Sequence, residues 1–287
     1  MLGLALAGAE RGAGIDGGPV TQTLATRPIS LRASLRVQAR VVRALLIREI
    51  LSRHGVANLG FFWVVGEPML LTCGIMVLWT LIRQTHGADV GVIPFALSGY
   101  SLIQLWRFNA FGGVRAMSHS AWMTYHANVG YFDVLLAKSL VPCIGVFGSF
   151  VLAYVPLYLL GAMEPPRDPL LMVGAWALMA WFGFAFSLVL AGASELSELV
   201  EKFIHPVMYL TLPLTGTFFM VSWLPAKAQY VVSWSPLVNG VEMFRCGLFA
   251  EGVRTTWDAW YLVAWCVGLT AIGLPGMAAA RRSIHVQ

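Results

Sequence analysis

Six stretches of this chain, roughly 59–82, 90–112, 136–162, 170–193, 203–223 and 257–280, are apolar over about twenty residues each. A bilayer core about 30 Å thick takes about 20 helical residues to cross. Within it each backbone N–H and C=O must find its partner inside the segment or a closed barrel. Runs of this length predict an all-α integral membrane protein with six transmembrane helices. Composition agrees, because 58% of the residues are hydrophobic and 11% charged, against about 25% charged in soluble domains. The second run carries Arg107 and Asn109 near its end, and Lys138 at the start of the third can snorkel to the interface.

Lysine and arginine set the orientation. Eight arginines precede the first run, and threading six spans puts Arg107, Arg115, Lys138, Lys202, Arg281 and Arg282 on the same side. Five basic residues fall opposite. Both termini of this multi-pass membrane protein are therefore expected in the cytoplasm. Residues 1–30, rich in Gly and Ala with no basic residue before the short apolar start, read as a flexible cytoplasmic tail. Residues 31–287 form the transmembrane domain. Arg32, Arg36, Arg40 and Arg43 recur at helical spacing opposite Val37, Val41, Ala44 and Leu45, continuing to Arg48 and Glu49. That pattern predicts an N-terminal amphipathic interface helix against anionic headgroups; an ordinary positive-inside anchor accounts for the same charges. Basic residues interleaved with base-stacking aromatics are absent, so no nucleic-acid partner is expected.

Three connections are more than turns. Residues 107–133 mix aromatic and polar side chains and offer Trp122, Met123 and Tyr125 to a partner protein. Glu195, Glu198, Glu201 and Lys202 form an acidic helix end or a solvated turn. Residues 224–258 hold a short amphipathic segment starting at Pro225, a Ser235-Pro236 turn and a second helix from Val238 to Phe249. Their apolar content predicts outer re-entrant helices, sheltered by protein.

Sites for chemistry are scarce. The phosphate-binding pattern GxxxxGK[ST] is missing: the lysine followed by Ser, Lys138, has neither glycine before it. His119 and His126 share a helix face but lie about 10 Å apart along it, too far for one metal ion. Ser194 sits in no GxSxG elbow, and no HxxxxD occurs. The four cysteines form no CxxC pair. No catalytic residues and no metal site are predicted, although a membrane-embedded transferase assembled from distant residues stays open. The stretch FFWVVGEPMLL places Glu67 and Pro68 inside the first span, next to Trp63. Proline removes a helical hydrogen bond and disfavours helix at the preceding residue. A bend is expected there, with Glu67 turned to the protein interior or a wet cavity, either as part of the kink or at a cargo entrance.

The run LIREILSRHGVANLGFFWVVGEPMLL, residues 46–71, resembles the entry to the first span of type-2 ABC exporter permeases, with Arg48, Glu49, Arg53, Leu59, Gly60, Trp63 and Pro68 in the family's order. YHANVGYFDVLLAKSL (125–140) is similar to that family's connection after the second span. SPLVNGVEMFRCGLF (235–249) resembles its outer re-entrant element, with Ser235 in place of Asn and Asn239-Gly240 where His-Ala is common. Glu67-Pro68 and the arginine-rich lead are most like permeases of capsular polysaccharide export. The resemblance implies a homodimer working with two copies of a cytoplasmic ABC ATPase, which carries the ATP and magnesium; this chain would need no cofactor. It implies a lipid-linked polysaccharide as cargo, periplasmic export partners and a channel at the dimer interface. O-antigen or teichoic acid cargo stays open. On this reading Trp122, Met123, Tyr125, His126 and Asn128 contact the ATPase and Asp133 anchors that contact. Trp79, Trp106, Phe108, Tyr209, Phe218 and Phe219 are candidates for weak stacking on sliding sugar rings, although lipid contact or core packing explains aromatics in spans equally well. Pro236, Glu242 and Arg245 are candidates for a gate, with Glu242 and Arg245 also suited to a local ion pair.

Overall fold

The computed structural model describes residues 31–53, 60–82, 90–120, 129–249 and 253–284, and within them the fold is all helical. The helices are α1 (Leu31–Arg53), α2 (Gly60–Ile82), α3 (Val92–Gly113), α4 (Tyr131–Leu159), α5 (Pro169–Leu196), α6 (Glu198–Thr211), α7 (Ala226–Ser233), α8 (Pro236–Leu248) and α9 (Ala259–Ile284). Among the described residues, four helices are long and apolar enough to cross a membrane: α2, α4, α5 and α9.

These four follow from length and composition, since a helix that is apolar all round must be buried or face lipid. Their outward faces carry Leu70, Leu81, Leu152, Trp260 and Val267, all exposed on the chain's own surface. α5 is the hub, packing on α3, α8 and α9. Small residues let it approach closely. A Cβ on Gly192 would come within 2.7 Å of the Gly276 backbone on α9, and one on Gly113 within 2.5 Å of the Ser187 carbonyl oxygen. This is the close backbone packing typical of helices in lipid.

The second and fifth expected spans differ from that pattern. α3 has the expected length but carries Ser98, Ser101, Gln104 and Asn109, all buried. Three of these turn their side chains onto their own helix: Ser98 Oγ donates to Phe95 O, Ser101 Oγ to Leu97 O and Asn109 Nδ2 to Leu105 O. A polar helix of this kind belongs in the middle of the bundle. The run 203–223, expected as one helix, is not one. α6 stops at Thr211, and its 14 residues rise about 21 Å, short of the hydrocarbon thickness. Pro213 lies in a 3-10 turn at Leu212–Leu214, and Gly216 takes φ +78°, so the chain leaves α6 through irregular backbone to a second 3-10 turn at Val221–Trp223.

Candidate functional site

The irregular stretch after α6 carries buried backbone carbonyls, and the fold answers them with one side chain. α8 starts with Pro236 at its first helical position, where the missing N–H costs nothing. Two turns on, Glu242 and Arg245 project from it, both wholly buried. Arg245 Nη1 donates to Gly216 O and Phe219 O, each at 2.8 Å. Nη2 donates to Thr217 O at 3.1 Å and Phe95 O at 3.5 Å, and Nε to Ser98 Oγ at 3.4 Å. The guanidinium carbon lies 4.1 Å from the centre of the Phe95 ring. Glu242 accepts from the backbone N–H of Val221 and of Thr256, both at 3.2 Å. The two charges are 3.9 Å apart. Each is held more by backbone than by the other, which is how a buried charge is made tolerable. Arginine alone has the planar fork to fill four carbonyls at once. Together Glu242 and Arg245 clamp residues 216–221 onto α3 and α8.

Several predicted aromatics collect beside this clamp. Trp79 stacks on Phe218 with centroids 5.8 Å apart and planes at 9°, and Trp79 and Trp223 both lie against Phe95. Phe219 contributes its carbonyl to Arg245. Trp106 is buried against Phe186 and helps to line an apolar cavity of about 430 Å³ between α3, α5, α6, α7, α8 and α9. Phe108 is half-buried against the core. Tyr209 is exposed, with the Arg107 guanidinium 4.7 Å over its ring. The six aromatics therefore do not form one surface.

The structure narrows one expectation at the first span, the direction in which Glu67 points. α2 runs as one helix through Pro68, and the Pro68 carbonyl accepts from Thr72 Oγ1 at 2.8 Å and from Gln104 Nε2 of α3 at 3.3 Å. Glu67 does not face the interior. Val64, Pro68, Thr72 and Met76 take the buried stripe at four-residue intervals, so Glu67 turns outward, on the exposed face with Trp63 and Leu70.

At the N-terminal end of α6 a second set of contacts forms. The loop after α3 meets the junction between α5 and α6. Arg115 N–H donates to Ser194 Oγ at 2.9 Å, and Arg115 Nε to Glu201 Oε2 at 2.7 Å. Ser118 donates its N–H to Glu195 Oε1 at 2.8 Å and its hydroxyl to Glu195 Oε2. Arg115 has φ +48°, the single non-glycine residue at positive φ among those described. Neither Arg115 nor Ser118 was singled out from the sequence; the available signal was an arginine in one loop and unpaired acids in another. Trp122, Met123, Tyr125, His126 and Asn128 lie outside the described residues. Asp133, in the first turn of α4, accepts from Gln38 Nε2 at 2.9 Å and so joins α4 to α1. Along α1, Arg36, Arg40 and Arg43 are exposed and Arg48 and Glu49 half-buried.

No family model matches the chain. It is similar to the capsule polysaccharide export inner-membrane protein BexB of Haemophilus influenzae, 34% identical over 245 residues, 85% of this chain and 92% of that protein. It is 34% identical over 254 residues to the capsule polysaccharide export inner-membrane protein CtrC of Neisseria meningitidis serogroup B, covering 88% of this chain and 96% of CtrC. The polysialic acid transport protein KpsM of Escherichia coli is 24% identical over 249 residues, 83% of this chain and 94% of KpsM.

Proposed function

The chain belongs to the family of capsule polysaccharide export inner-membrane proteins, and from that premise we propose that it is the transmembrane permease of an ABC exporter for lipid-linked capsular polysaccharide. The observation that carries this reading is the 34% identity that runs through nearly the full length of two such proteins. The permease works as a homodimer with a separate cytoplasmic ATPase that binds ATP and magnesium, and hands its cargo to periplasmic partners.

In this reading both termini are cytoplasmic, α1 lies along the inner surface, and the chain crosses six times. α3, and α6 together with the irregular stretch after it, complete the count begun by α2, α4, α5 and α9, with α7 and α8 dipping into the outer leaflet. The irregular backbone at residues 216–221 is supported there by Arg245 and Glu242, as lipid requires. Residues 121–128 meet the ATPase, with Trp122, Met123, Tyr125, His126 and Asn128 as contacts. Closure of the ATPase on ATP biases the permease between two packings. Trp79 and Phe218, already stacked on each other, offer an aromatic face to a passing sugar ring.

The test is co-purification with the ATPase, followed by movement of lipid-linked polysaccharide across vesicles. Transport is expected only with ATP and the ATPase present, and the Trp122→Ala, Tyr125→Ala pair is expected to lose it. Glycan movement without ATP, or glycan transfer chemistry by the chain alone, contradicts the reading.

A further inference from the structure

α3 ends at Gly113, pressed so closely on Ser187 of α5 that a Cβ would not fit. The chain must turn there, and two residues later Arg115 adopts φ +48°. Long side chains avoid that region, and such a residue persists only where its surroundings over-determine it. Here they do. Its N–H is held by Ser194, its guanidinium by Glu201, and Ser118 in the following turn grips both oxygens of Glu195.

These partners lie on both sides of a break. Ser194 and Glu195 belong to the last turn of α5, Glu201 to the first turn of α6, and Ser197 between them is extended at φ −150°, ψ 119°. The loop therefore bridges a joint between two helices. Lys202 and Glu198 make a useful contrast: at 3.6 Å, 67% and 73% exposed and four residues apart on α6, they join nothing to anything else. The Arg115–Glu201 pair is 86 residues apart in sequence and only 33% and 41% exposed.

We infer that Arg115, with Glu195 and Glu201, forms a tie that hands displacement of the loop after α3 to the N-terminal end of α6. The inference rests on the permease reading in one respect: the same loop runs on in sequence into residues 121–128, the proposed ATPase contact. The other end of α6 leads within a few residues into the stretch that Arg245 holds. α6 is thus a short lever, anchored at its C-terminal side and driven at its N-terminal side. Arg115, Glu195 and Glu201 are positioning residues that touch no cargo.

Full-length permease is co-purified with its ATPase and reconstituted as wild type, Arg115→Glu, Glu201→Arg and the double swap. Assembly, ATP hydrolysis and glycan moved per ATP are read for each. Each single reversal is expected to keep assembly and hydrolysis within about twofold and to lower glycan moved per ATP roughly five- to tenfold. The double swap restores most of that loss. Arg115→Asn, which tolerates positive φ but lacks the guanidinium, behaves like the reversal. Unchanged transport per ATP in the single variants overturns the inference, as does a loss of assembly that the swap leaves unrepaired, because that marks a purely structural contact. A wild-type complex that moves no glycan is a separate result: it overturns the permease reading and this inference with it.

Discussion

Arg245 and Arg115 each hold one end of the same stretch of chain, α6 and the irregular backbone after it, and they do so in opposite environments. Arg245 is wholly buried, donates to four carbonyls and a hydroxyl, and leaves no valence to water. Arg115 is a third exposed, strained at its own backbone, and paired with the Glu201 carboxylate, which solvent also reaches. Burial decides what each can do. A buried, fully satisfied charge has one arrangement and is costly to disturb. A half-exposed one contributes little to stability and exchanges partners readily. One end of α6 is built to stay, the other to move.

The comparison breaks most visibly at Arg245. Arg245→Ala strands the Glu242 carboxylate and the carbonyls of Gly216, Thr217 and Phe219, and is expected to cost about 3–5 kcal/mol. Thermal unfolding in detergent reads that loss directly. Gly99→Ala attacks the same clamp from α3, since its Cβ would meet Arg245 Nη2 at 2.6 Å and Thr217 O at 2.8 Å. Overpacking of this kind costs about 1–3 kcal/mol, visible as a lowered midpoint without change at the other end of α6. Arg115→Glu belongs to the other class, with a stability change of about 1 kcal/mol or less beside a large loss of transport per ATP. Asp133→Ala removes the Gln38 contact between α4 and α1 and is expected to change stability least, by about 0.5 kcal/mol or less. If Arg115→Glu unfolds the protein as readily as Arg245→Ala, the distinction between the two ends is lost.

The same contrast explains what could be read in advance. α2, α4, α5 and α9 follow from apolar runs, because length in hydrocarbon overrides other preferences, and their ends fall within a few residues of expectation. α7 and α8 were legible from Pro225, Ser235-Pro236 and the apolar content after them. The stop of α6 had local signals in Pro213 and Gly216, outweighed by the hydropathy of the run. Glu242 and Arg245 were legible as a pair three residues apart, but not as a clamp. Their partners sit at residues 216–221, at Thr256 and on α3, and nothing local announces a carbonyl that lacks a donor. The direction of Glu67 was not legible, because helical register, set by Val64, Pro68 and Thr72, decides which way a residue faces, while its charge only says that facing lipid is costly. Arg115 was invisible for a related reason, since a left-handed residue is a product of tertiary contacts.

The most direct test places spin-label pairs at Phe203 and Arg282, spanning the N-terminal end of α6 and the C-terminal end of α9, and at Ser222 and Trp257, flanking the Glu242 clamp. Distances are measured in the complex with the ATPase, with and without ATP. The first pair is expected to shift by a few ångströms, the second to hold, and Arg115→Glu to abolish the first shift. Equal shifts at both ends, or a shift at Phe203 that survives Arg115→Glu, contradicts a lever anchored by Arg245 and driven through Arg115.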